Sequence, residues 1–350
     1  MDLVVATAAL ARVASRTDRL LPGRSAAPLH LSAGTGLELA AGDGDLRVRG
    51  SVAAQVHATG AAAVPRRSFA TVLAGVEAPE VRLSVEGSRL AVRTPSGRFA
   101  LPIVPAPAPA PGWPAAAGTV PAERLRPAAL AVCGAASRDG LPIFTGVRLR
   151  SADGVLRLVA TDRFRMASAA VAYTGPGIDV LVPAGILADA VRSVPAAGPV
   201  TLRASGGAFG LDWPDGGLAT SSLALPFPDA QIDRLLTVSP LCTLTVDAPA
   251  LLAAVARAAA FATAVTLEAT DGVVVVRAGS EEAGESREEV KADVQGDRLT
   301  ASYQAHYLQD GLRAFDGEVA VALQPGIAPT SFAATDDPAG LAYLVVPLRG

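Results

Sequence analysis

From Leu37 the chain alternates: Leu37, Leu39 and Ala41 fall on one side of an extended segment, Glu38 and Ala40 on the other. An Asp-Gly turn follows at Asp43, then a second alternating run, "LRVRGSVA". Period-two patterning broken by turn residues predicts a β-hairpin with one buried face. The same pattern returns further on. Leu156–Asp162 falls on Leu37–Asp43, and "FRMASAAVA" then takes the place of the second strand.

The helical stretches recur at nearly the same offset. "PRRSFATVLAGV" from residue 65 matches "PAGILADAVRSV" from 183, each with proline at the expected first helical position. A third copy, "QAHYLQDGLRAF", starts at 304. An earlier helix also recurs three times: "TAALARVASRTDRLL" from 7, "ERLRPAALAVCGAASR" from 123 and "APALLAAVARAAAFA" from 248. Each second helix is followed by alternating strands, as in "EVRLSVEGSRLAVRT", "PVTLRASGGAFGLDW" and "EVAVALQPGIAPTSFAAT". Three units of roughly 115 residues emerge, each reading helix, strands, helix, strands. Each unit thus mixes helices with hairpin strands, the order expected of an α+β class repeated three times.

Between the first two units lies "PAPAPAPGWPAAAG", whose alternating prolines hold it extended and bar it from a sheet interior. The domain boundaries expected are 1–117, ending in the linker 105–118, then 118–240 and 241–350.

Composition removes several classes of function. Half of the 350 residues are apolar, so the chain can build sizeable cores, and no run is long enough to cross a bilayer. The N-terminal "MDLVVATAALARVASRTDRL" reads as strand and helix, not as a signal peptide, which leads to the expectation of a cytoplasmic protein. Cys133 and Cys242 offer neither a disulfide framework nor a metal spacing. His30, His57 and His306 lie far apart in sequence, and no phosphate-binding or nucleophile motif is present. Asp43 and Asp162 recur at equivalent hairpin turns, where aspartate suits turn geometry alone. No catalytic residue, metal or cofactor is expected, and the chain reads as a non-enzyme.

"ATDRFRMA" places Arg163, Phe164, Arg165 and Met166 in a row. Read as a strand, Phe164 and Met166 share one face and the two arginines the other. Apolar walls flanked by arginine forks suit a groove that grips a peptide, not a catalytic centre.

Four motifs in order carry a resemblance: "LPIFTGVRLRS" from 141, "LRLVATDRFRMA" from 156, "FPDAQIDRLL" from 227 and "YLVVPLRG" from 343. Together they resemble the bacterial sliding clamp, the beta subunit of DNA polymerase III, over nearly the whole chain. The resemblance implies three repeated clamp domains of α+β class, each with two helices packed on antiparallel sheets. It implies two such chains closed head to tail into a six-domain ring, with double-stranded DNA threading the hole without sequence preference. It implies a processivity factor with four kinds of partner: a second copy of itself, the DNA polymerase III alpha subunit, the clamp loader and other proteins bearing a clamp-binding motif such as Gln-Leu-x-Leu-Phe.

By position in the matching motifs, the resemblance implies a peptide pocket between the second and third domains. Phe144, Thr161, Arg163, Phe164, Arg165 and Met166 come from the first two motifs. Pro228, Arg234 and Leu235 come from the Phe-Pro segment, and Tyr307 and Ser331 from the third domain. Val346, Pro347, Leu348 and Arg349 complete it from the tail.

Charge gives a separate indication. The chain is mildly acidic, net −3, yet its helical stretches carry an excess of arginine, so everything else is more acidic still. The DNA-facing residues expected are Arg12, Arg16, Arg66, Arg67, Arg124, Arg126, Arg138 and Arg192, with Arg24 carried over from the family's DNA-contacting arginine. Some features depart from the family pattern. The Phe-Pro segment holds two extra residues, Gly350 replaces a larger apolar residue, and the third domain is shortened after "ARAAAFATAV". These departures raise an alternative: a clamp-like paralogue or scaffold that keeps the pocket in a specialised or non-replicative role.

Overall fold

The computed structural model describes residues 1–23, 25–105, 112–236, 240–336 and 340–349. The architecture is α+β, with antiparallel sheets of five, eight and twelve strands. Seven α-helices occur among the described residues: α1 Thr7–Leu20, α2 Arg66–Ala74, α3 Ala122–Cys133, α4 Ala184–Ser193, α5 Asp229–Leu236, α6 Ala248–Ala258 and α7 Ala305–Leu312. Six of them are the three recurring pairs read from the sequence. The seventh, α5, arises in the Phe-Pro segment, where no helix was expected. Pro65 and Pro183 sit one residue ahead of α2 and α4, not at their first positions, so each delivers the chain from a strand into the helix. Among the described residues no helix is long and apolar enough to cross a membrane.

The chain forms two compact units. Met1–Ala122 and Asp189–Ser222 make one, Glu123–Ala188 and Leu223–Gly350 the other. In the first, the paired strands Leu37–Asp43 and Leu46–Val52 bury Leu37, Leu39, Ala41, Leu46 and Val48 on one face. Strand Gly216–Ser221 pairs with Leu46–Val52 and so completes the eight-stranded sheet. Small residues permit this seam: a Cβ on Gly50 would collide with the Val13 side chain of α1, and one on Gly217 with Asp212 and Trp113.

In the second unit the equivalent hairpin strand again takes the seam. Arg165–Ala172 pairs with Val155–Thr161 on one side and with Ala342–Val345 on the other. The twelve-stranded sheet therefore runs unbroken from Asp179–Pro183 at one edge to Thr300–Gln304 at the other. Leu156, Leu158 and Ala160 are buried as the alternation requires, and Tyr343 and Leu344 bury the final strand.

Candidate functional site

The hairpin that enters the seam strand is held by two short side chains. Thr161 Oγ1 donates to the Arg165 carbonyl at 2.7 Å and accepts the Arg163 N–H at 3.1 Å. Asp162 Oδ1 accepts the N–H groups of Phe164 and Arg165 at 3.0 and 2.9 Å. Closed this way, the turn puts Arg163 at φ +80°, in the left-handed region. The strict alternation expected across Arg163–Met166 is thereby corrected: the strand begins only at Arg165. Asp162, read only as a turn residue, is the residue that organises the turn.

Arg165 is the charged centre of the site. Its side chain is 10% exposed; Nε donates to Asp162 Oδ2 at 2.9 Å and Nη1 to Asp310 Oδ2 at 2.5 Å. Its guanidinium also lies 5.0 Å from the centre of the Tyr307 ring. Burial pulls the Arg165 pKa down, but Tyr343, the bond to Asp310 and the Asp162 carboxylate outweigh it and raise the pKa overall, so the group stays cationic. Asp310 is shared with Arg313, whose Nη1 donates to Oδ1 at 2.7 Å. The Tyr307 pKa is raised, first by burial and then by Asp162.

Around this centre rings and cations alternate. Phe164, half exposed, stacks on Tyr307 with ring centres 5.9 Å apart and 14° between planes. Arg163 lies over both Phe144 and Phe164, at 5.5 and 5.8 Å. Phe144 reaches the site from the end of a 3₁₀ turn, Pro142–Phe144. The tail closes the far side: the Val346 N–H donates to the Phe164 carbonyl at 2.8 Å and that of Leu348 to the Ser302 carbonyl at 2.7 Å. Pro347 is buried and Arg349 exposed. Ser331 is paired in register with Leu344, one strand away from Met166.

Met166 does not form an open wall, which corrects a second expectation. It is 3% exposed and packs with Val159, Leu344 and Ile232, with Phe227 and Leu236 against the cluster. The cover is α5. The Pro228 carbonyl accepts the N–H groups of Gln231 and Ile232 and starts the helix. With eight residues α5 makes two turns, enough to place Ile232 and Leu236 at i and i+4 over the cluster. Arg234 and Leu235 are exposed on α5 and do not join the cluster. Ile232, Leu344 and Asp310 are the residues missed from sequence. The apolar Ile232/Leu236 spacing was the available signal for the first, and the Tyr307/Asp310 spacing of one helical turn for the third.

The arginines expected to face DNA divide sharply. Arg16 is 7% exposed, paired with Asp215 at 2.8 Å and laid 5.3 Å from the Trp213 ring. Arg66 is 3% exposed, donating to the Asp18 and Ser25 carbonyls at 2.8 and 3.3 Å, with the Asp18 carboxylate at 3.3 Å. Both are corrected: they hold the fold together internally and are not presented to a ligand. Arg67, Arg124 and Arg138 are exposed and Arg126 half-buried. Arg12 and Arg192 are exposed but paired with Asp215 and Asp189. Arg24 and Gly350 lie outside the described residues.

Comparison with known proteins bears on this geometry. The family model of the DNA polymerase III beta subunit, C-terminal domain, matches residues 238–349, and that of its central domain residues 119–229. A beta sliding clamp of Streptomyces coelicolor is 30% identical over 379 residues, spanning 100% of this chain and 99% of that protein. The chain belongs to the bacterial beta sliding clamp family. A beta sliding clamp homolog, GriR, of Streptomyces muensis is 26% identical over 81% of the chain and 79% of its own length. Among solved structures, the Pseudomonas aeruginosa sliding clamp bound to griselimycin superposes with a TM-score of 0.92 at 22% identity, each chain covered in full. The beta sliding clamp fold thus extends over the whole chain, and both family-model matches contain parts of the Arg165 site.

Proposed function

We propose that the protein is a DNA processivity clamp: two chains close into a ring around duplex DNA, and each ring half carries a peptide pocket that tethers the replicative polymerase. The full-length relationship to a beta sliding clamp carries this reading. The convergence of Phe144, Arg163, Phe164, Tyr307 and the tail on one surface supports it for the pocket. In this reading the three domains follow the repeats at 1–117, 118–240 and 241–350. The partners are double-stranded DNA, the polymerase III alpha subunit, the clamp loader and other motif-bearing proteins, all in the cytoplasm. The protein performs no chemistry of its own. Retention on DNA comes from topology, so exposed arginines such as Arg67, Arg124 and Arg138 need only neutralise phosphate weakly enough to slide.

The particle in solution is expected to have twice the 35.2 kDa chain mass; light scattering that gives the single-chain mass at high micromolar concentration would remove the ring. Loaded protein should stay on closed circular DNA through a high-salt wash and leave when the circle is cut. Loss from the intact circle would instead favour the clamp-like scaffold.

The pocket has its own test. A labelled Gln-Leu-x-Leu-Phe peptide should bind with micromolar affinity, read by fluorescence polarisation. Phe164→Ala should weaken it about tenfold, as expected for loss of one half-exposed aromatic anchor. Phe164 suits this test better than Met166, whose truncation would open a cavity under α5.

A further inference from the structure

Arg163 is an arginine in a backbone conformation that favours glycine, at φ +80°. Such a residue persists only where its surroundings over-determine it, and here the Thr161 and Asp162 side chains do so. The left-handed step carries its side chain across Phe144 and Phe164 instead of along a strand face. The charge there is available. Arg165 beside it is satisfied by Asp162 and Asp310, whereas Arg163, Arg234 and Arg349 form no ion pair among the described residues. The nearby acids are engaged: Asp162 and Asp310 with Arg165, Asp229 with Arg148 and Asp233 with Arg157. Arg163 is therefore a cation without an acidic partner among the described residues, on a chain that is acidic overall.

We propose that Arg163 is a specificity residue of the peptide pocket, selecting partner segments that carry a carboxylate beside their apolar anchors. The inference rests on the pocket reading above. A guanidinium placed over two rings, with no ion pair among the described residues, still has N–H groups to offer a carboxylate. A strained arginine is retained because the same turn with glycine would leave the two rings without a cation between them.

Three C-terminally amidated peptides sharing Gln-Leu-x-Leu-Phe, with Glu, Gln or Lys at x, separate the possibilities. The Glu peptide should bind about threefold or more tighter than the Gln peptide at low salt, and the Lys peptide more weakly than both, with the spread shrinking in 0.5 M salt. The Gln peptide with a free C-terminus distinguishes a terminal carboxylate from a side-chain one. In Arg163→Gly the Glu-to-Gln affinity ratio should fall to about one while the melting temperature rises, because glycine relieves the turn. Arg163→Glu should reverse the order of the Glu and Lys peptides. Equal binding of Glu and Gln peptides by the parent protein, or an unchanged ratio in Arg163→Gly, overturns the specificity role while leaving the pocket standing. Failure of all three peptides to bind overturns the pocket reading and this inference with it.

Discussion

Arg165→Ala should destabilise the second compact unit by about 3 kcal/mol, read as a lower denaturant midpoint in equilibrium unfolding. The size follows from what is left behind. Asp162, its side chain only 10% exposed, keeps its turn bonds but loses its cationic partner Arg165, and Tyr307 loses the cation on its face. Asp310 suffers less, because Arg313 still holds its other oxygen. Arg165→Lys should recover only part of the loss: an ammonium cannot fork between Asp162 and Asp310 while lying flat on a ring. An alanine variant as stable as the parent would show that the two carboxylates do not depend on this arginine.

Ile232→Asp should release α5. Ile232 is 4% exposed over Val159, Met166 and Leu344, and truncation to alanine alone should cost about 2–3 kcal/mol. A carboxylate there is worse, since it must either enter an apolar cluster unpaired or pull the helix into water. Amide exchange over Asp229–Leu236 should then rise well above that of the parent, with neighbouring strands much less affected. Leu235→Asp is the control. Leu235 is 43% exposed on the same helix, and the change should stay within about 0.5 kcal/mol. Equal exchange in the two variants would mean that Ile232 does not dock α5.

These two residues also mark the limits of what the sequence makes legible. The hairpins and the six paired helices can be read because period-two and helical patterning recur in the same order at similar spacing, each repeat supporting the others. Helix α5 could not be read this way: it belongs to one repeat only, and its eight residues follow a Phe-Pro pair that suggests an extended segment. Arg165 could be singled out from its motif, but Asp310, its partner, stands far along the chain. Arg16 and Arg66 show the weakness of counting charge. Arg16 is neutralised by Asp215, which no local window includes, and Arg66 by backbone carbonyls as much as by Asp18. The left-handed turn at Arg163 was hidden because a glycine, the usual signal, is missing there.

The seam of the twelve-stranded sheet has a consequence for how the chain is built. The strand Arg165–Ala172 pairs with Ala342–Val345, and everything from 173 to 341 intervenes. During synthesis the hairpin strand must wait, one edge unpaired, until the whole following half has left the ribosome. Contacts of this separation form late and slowly, and an open edge is a site for wrong pairing in the interval. Small residues line that waiting edge, Ala167, Ser168, Ala169 and Ala170, in place of the large β-branched residues that drive strand aggregation. A nascent chain stalled before Ala342 is thus expected to be the form most in need of a chaperone.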